Sequence, residues 1–109
     1  MEHLGEGVAM KVKARKYGNE VFVLVEIEPA SPELLKEREN AGLFGGASFT
    51  VNFLDEDRFT ILEESFSLNS MTLIVDDNKE PLSFEYQGKL LDFDNRFEAI
   101  SDWTPTWRM

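Results

Sequence analysis

The residues from Met10 to Glu28 restrict what this chain can fold into more than any others. Met10, Val12 and Ala14 alternate with Lys11, Lys13 and Arg15, the period-2 pattern of a half-buried strand. A second run follows from Glu20 to Glu28, in which Val21, Val23, Val25 and Ile27 share one face. Between the runs stand Gly18 and Asn19, residue types that accept the positive φ of a two-residue hairpin turn. That turn fixes a register: Ala14 opposite Val23, Val12 opposite Val25, Met10 opposite Ile27, and Lys11 opposite Glu26 on the other face. A slip of one residue sets apolar against polar along the whole ladder, so turn and pattern support the same pairing.

The hairpin leads directly into a helix. Pro29 stops the second strand, and Ser31-Pro32-Glu33 supplies an N-cap, a first-turn proline and a first-turn acid. Gly42 suits the left-handed residue that ends helices, which places one short helix near residues 32–41. Its apolar stripe of Leu34, Leu35 and Ala41 is narrow, so it should lie on a sheet and not at a centre of packing.

The remaining chain reads mostly as strands. Residues 1–9 lack periodicity and are expected to form a flexible N-terminal extension to a single domain spanning residues 10–109. Leu43 to Gly46 turns into a strand over Ala47 to Leu54, with Phe49, Val51 and Phe53 inward. Arg58 to Leu68 fits both periods, and the β-branched Thr60 and Ile61 favour strand over helix. Met71 to Val75 is a short apolar run expected at the centre of the sheet, followed by a polar turn from Asp76 to Pro81. Leu82, Phe84 and Tyr86 alternate up to Gln87-Gly88, which reads as the turn of a second hairpin pairing Phe84 with Leu91 and Leu82 with Phe93. Phe97, Ile100, Trp103 and Trp107 hold the apolar content of the last segment, where Pro105 opposes regular structure. The sum is an α+β domain: an antiparallel sheet of about six or seven strands, built from hairpins, with one helix packed on it.

Charge limits the function. A net charge of −10 makes direct nucleic-acid binding a poor expectation, because such binding neutralises phosphates with Lys and Arg. The acidity belongs to the second half: residues 1–54 hold eight acids against six bases, and residues 55–109 hold thirteen against five. No apolar run approaches the roughly 18 residues that cross a bilayer, so no membrane association is expected. The absence of cysteine fits a reducing compartment, and a cytoplasmic location is expected.

Catalytic groups are scarce. The only histidine, His3, lies in the N-terminal extension, there is no thiol, and no serine has a recognisable base. Carboxylates such as Asp92, Asp94 and Glu98, or Asp55 and Asp57, stand beside turns, where acids are ordinarily solvated. Asp92-Phe93-Asp94-Asn95-Arg96-Phe97 opens like an EF-hand loop but places Phe97 where glycine is required, and Asp76-Asp77-Asn78 with Glu80 reads as a polar turn. Gly42, Gly45 and Gly46 lack the spacing of a phosphate loop. The expectation is therefore no enzyme, no cofactor and no metal, but a small acidic protein-binding domain. Asp55, Glu56, Asp57, Glu63, Glu64, Asp76 and Asp77 would present a negative face to a basic protein partner, as in an inhibitor, an immunity-type antagonist or a nucleic-acid mimic. Trp103 and Trp107 are candidate contacts as well, although terminal indoles commonly dock onto their own core. The alternative is a structural or assembly protein that forms a homo-oligomer through a sheet edge or this Trp segment.

Overall fold

A computed structural model of the chain describes residues 8–40 and 48–108. Its elements are the strands β1 (Ala9–Tyr17), β2 (Glu20–Glu28), β3 (Ser48–Leu54), β4 (Thr60–Ser67), β5 (Thr72–Val75), β6 (Pro81–Leu91) and β7 (Asp102–Arg108), with one helix, α1 (Pro32–Asn40). Single 3-10 turns cover Leu68–Ser70 and Arg96–Ala99. All strand pairs are antiparallel, and the α+β class and strand number expected from the sequence hold. The seven strands divide into a four-stranded sheet ordered β1-β2-β6-β5 and a three-stranded sheet ordered β4-β3-β7.

The first hairpin adopts the register its residues demand: Met10 opposite Ile27, Val12 opposite Val25 and Ala14 opposite Val23. Gly18 turns the chain with φ of 61°, the left-handed value that glycine reaches without steric cost. Lys11 lies opposite Glu26, but its amine bonds the diagonal neighbour Glu28 at 3.2 Å. That exposed pair adds about 0–1 kcal/mol, so the ladder is set by the apolar face.

Successive rows of the four-stranded sheet carry that face across: Met10, Ile27, Phe84 and Leu73; Val12, Val25 and Tyr86; Ala14, Val23 and Gly88. The three-stranded sheet answers with Phe49, Val51 and Phe53 of β3 between Phe66, Glu64 and Leu62 of β4 and Trp107, Pro105 and Trp103 of β7. The two apolar faces pack against each other as a sandwich. β4 lies over β6, where the rings of Phe66 and Tyr86 stack at 4.3 Å, and β7 lies over β1, where Val12 and Ala14 share a cavity with Phe53 and Trp103. Helix α1 closes the end nearest Phe84. The Ser31 hydroxyl accepts the Leu34 amide at 3.3 Å as the cap, Leu34 is buried, and the Arg38 guanidinium sits 5.5 Å above the Phe84 ring.

Several expectations need correction. There is no turn at Gln87-Gly88: β6 is one continuous strand through both residues, with Gly88 opposite Val23. Phe84 therefore pairs with Ile27 and Leu73, while Leu91 and Phe93 are 59% and 68% exposed. Gly88 is small for packing, because a Cβ there would stand 2.8 Å from the Tyr86 ring and 3.1 Å from the Glu64 carboxyl carbon. Met71 to Val75 is not central; β5 is a four-residue edge strand beside β6. Pro105 does not interrupt β7, because β7 is the edge of its sheet, the one place where a strand tolerates a missing N–H. Arg58 to Leu68 resolves in favour of strand, as β4. Phe59 precedes that strand, 70% exposed. His3, the helix-ending Gly42 and the turn from Leu43 to Gly46 lie outside the described residues.

One continuous β6 implies unequal costs at two phenylalanines for which a second hairpin implies equal ones. Phe84→Ala should cost about 3–5 kcal/mol of unfolding free energy, whereas Phe93→Ala should cost less than about 0.5 kcal/mol. Urea denaturation of the two variants checks this, and equal losses would restore the hairpin.

Candidate functional site

Three aspartates in the second half serve the backbone. Asp55 heads the β3–β4 turn, and its Oδ1 accepts the amides of Asp57 at 2.9 Å and Phe59 at 3.0 Å. Asp76 repeats this in the β5–β6 turn, accepting Asn78 at 2.8 Å and Glu80 at 2.9 Å. Asp92 does it after β6, accepting Arg96 at 2.9 Å and Phe97 at 2.8 Å. Each is followed three residues later by a left-handed residue: Arg58, Lys79 and Asn95, with φ of 69°, 64° and 55°. The carboxylate compensates amides that the left-handed residue turns out of the regular ladder.

Asp92 is buried as well, and Lys16 from β1 reaches it at 3.1 Å and Asn95 Oδ1 at 2.8 Å. Burial raises the Asp92 pKa, but the amides of Phe97 and Arg96 and the Lys16 ammonium outweigh it and hold the carboxyl below its ordinary value. This pair anchors the far end of β1 to the chain after β6.

That same end of the sandwich carries a groove of about 310 Å³ lined by Asp55, Glu56, Asp57 and Glu98 with Ala99, Ile100 and Ser101. The Ser101 amide donates to the Leu54 carbonyl at 2.8 Å and draws the Arg96–Ala99 turn against the β3–β4 turn. The two cations nearby are engaged elsewhere: Arg58 with Asp102 at 2.9 Å and Arg96 with Asp94 at 3.3 Å. Asp102 is lowered from its ordinary value, first by the Trp103 amide and then by Arg58. All four charged residues that line the groove are thus acids.

The other expected residues do not join it. Asp76 and Asp77 sit on the β5–β6 turn, at the opposite end of β6, a strand about 33 Å long at 3.3 Å per residue. Glu63 is exposed on the outer face of β4. Glu64 points inward between the sheets, where its Oε1 accepts the Tyr86 hydroxyl at 3.0 Å and its Oε2 is buried without a partner among the described residues. Trp103 is half-buried against the core and borders a largely apolar cavity of about 330 Å³ with Val12, Ala14, Phe53, Phe97 and Ile100, which Ser101 and Asp102 also line. Trp107 is placed by its backbone opposite Phe49, and its side chain lies outside the described residues. Of the nine residues singled out from the sequence, the structure gathers Asp55, Glu56 and Asp57 and adds Glu98 to them. Glu98 stands too far along the chain for a local pattern to join it to the turn. The inward position of Glu64 was visible in its phase with Leu62 and Phe66.

Among the described residues no group of three or more His, Cys, Asp or Glu is arranged to hold a metal ion, and no helix is long and apolar enough to cross a membrane. No family model, curated protein or solved structure matches this chain. The fold and its surface together define an acidic antiparallel sandwich with an anionic groove at one end.

The Tyr86–Glu64 pair is open to titration. Burial first, then the hydrogen bond and charge of Glu64, push the Tyr86 phenol up to about 12 from 10.0. A raised folded-state value means a stabilising contribution complete below about pH 10 and withdrawn as pH rises toward 12. Tyr86→Phe should lose about 1–3 kcal/mol at neutral pH by leaving both Glu64 oxygens unpartnered, and its deficit should shrink in strong alkali. Absorbance titration of tyrosinate, with denaturation at each pH, tests this; ionisation of Tyr86 at the ordinary phenol value would refute it.

Proposed function

We propose that this chain is a non-enzymatic protein-binding domain whose anionic groove engages a basic protein. The observation that carries the reading is the grouping of Asp55, Glu56, Asp57 and Glu98 around one groove with no cation in its lining. A concave negative surface steers a positive partner during encounter and rejects negative ones, contributing to rate and specificity more than to affinity. An inhibitor, an immunity-type antagonist or a nucleic-acid mimic would all use such a surface, and a cytoplasmic setting is part of the proposal. The want of histidine beyond His3 and of any cysteine supports action by recognition alone. Self-assembly is the second reading, supported by the open edges of β1, β5, β4 and β7. Sedimentation separates the two, since only self-assembly requires a stable oligomer of the purified chain.

Two charge reversals of equal size locate the surface. Glu56→Lys with Glu98→Lys alters the groove, whereas Asp77→Lys with Glu80→Lys gives the same net charge at the opposite end. The proposal expects a basic partner retained from lysate at low salt, released at about 0.5 M salt, lost by the groove variant and kept by the other. Equal loss in both would reduce the effect to overall charge, and retention indifferent to salt would contradict the proposal.

A further inference from the structure

We propose that β1 is a docking edge for an extended segment of another protein in which apolar and acidic residues alternate. The surface adjoins the acidic groove, with Ile100 and Ser101 lining both cavities, but its charge is opposite and its test stands apart from that reading.

The backbone supplies the first argument. β1 is nine residues long and, among the described residues, pairs only with β2, which leaves its other side an open edge. The two-residue turn at Gly18 and Asn19 makes Tyr17 and Glu20 a hydrogen-bonded pair, and every second pair after it: Arg15 with Phe22, Lys13 with Leu24, Lys11 with Glu26. Met10, Val12, Ala14 and Lys16 therefore aim their N–H and C=O groups away from β2. Among the described residues no backbone bond from outside the sheet meets them.

Side chains supply the second. On the outer face Lys11, Lys13 and Arg15 are exposed, and among the described residues only Lys11 has an ion-pair partner, Glu28 at 3.2 Å. Three of the chain's eleven cations stand on this outer face of one strand in a protein with net charge −10, apart from Lys16, which the buried Asp92 neutralises, so the edge is a local reversal of sign. On the inner face Met10, Val12 and Ala14 are only half-buried, and Val12 and Ala14 open onto the cavity of about 330 Å³ walled by Phe53, Phe97, Ile100 and Trp103, with Ser101 and the Arg58-paired Asp102 completing its lining. A strand added beside β1 would place alternate side chains toward that cavity and the others beside Lys13 and Arg15. Apolar residues suit the first position and carboxylates the second, the mode in which main-chain bonds give affinity and alternate pockets give specificity.

Charge also decides against a second copy. Antiparallel pairing of β1 with itself sets cations against cations, and like charges directly opposite destabilise a ladder. Lysines on an edge normally serve this purpose of refusing like edges. An acidic strand meets no such refusal.

The test uses the full chain and a fluorescein-labelled nine-residue peptide of alternating Val and Glu, with a Val and Lys peptide as its counterpart. The Glu peptide should bind saturably by anisotropy and weaken about tenfold at about 0.5 M salt; the Lys peptide should not bind. Lys13→Glu with Arg15→Glu should invert that preference. Ala14→Pro removes one outward N–H while leaving the β1–β2 ladder whole, and should weaken the Glu peptide about tenfold with circular dichroism unchanged. Absence of Glu-peptide binding would overturn the proposal, as would equal binding by the charge-reversed variant. A dimer of the chain that Ala14→Pro converts to monomer would also overturn it, by assigning the edge to a second copy.

Discussion

The stripe of Val21, Val23, Val25 and Ile27 on β2 cannot remain in water, and covering it generates the rest of the architecture. Burying each of these side chains is worth about 1.5–3 kcal/mol, and all four are at most 2% exposed. A strand in this position needs a neighbour on each side and a lid over its face. β1 and β6 supply the neighbours, and β3 with Phe49, Val51 and Phe53 supplies the lid. The exposed ion pairs, worth about 0–1 kcal/mol each, only decorate this arrangement. The buried Lys16–Asp92 pair differs because it joins β1 to the segment after β6 and is satisfied on both sides by further hydrogen bonds.

The acidity of the second half has two physical origins that composition cannot separate. Asp55, Asp76 and Asp92 hold turns whose left-handed residues would otherwise strand backbone amides. Glu56, Asp57 and Glu98 hold no such amides in the groove they share. Charge that serves folding and charge that is free for a partner thus stand side by side, and only the hydrogen bonds tell them apart.

Much of the fold was legible because β2 allows one register only. The turn at Gly18-Asn19, the alternation of β1 and the cap at Ser31 gave the hairpin and helix their positions, and β4 followed from its β-branched start. At Gln87-Gly88 the glycine mimics a turn signal, yet the alternation of Phe84, Tyr86, Gly88 and Leu90 runs through it unbroken. Gly88 is there because the Tyr86 ring folds across it toward Glu64, a tertiary reason that local pattern does not carry. Likewise Pro105 and Met71 to Val75 depart from their local pattern because edge or centre depends on strand order, which pairwise patterns leave open. The candidate site was legible only in part: the Asp55 to Asp57 turn was visible, its meeting with Glu98 was not.

What emerges is a sandwich whose interior fixes register and whose two proposed contact surfaces are a turn cluster at one end and a basic strand at one edge. The claim beneath the second is that β2 locks β1 on one side and that, among the described residues, its other side is open. Amide hydrogen exchange of the free chain by NMR tests this directly. Protection should alternate along β1, strong at Lys11, Lys13 and Arg15 and weak at Met10, Val12 and Ala14, while Val21 to Ile27 of β2 exchange only with global unfolding. Uniform protection along β1 would mean that the edge is already covered, and the account would fail.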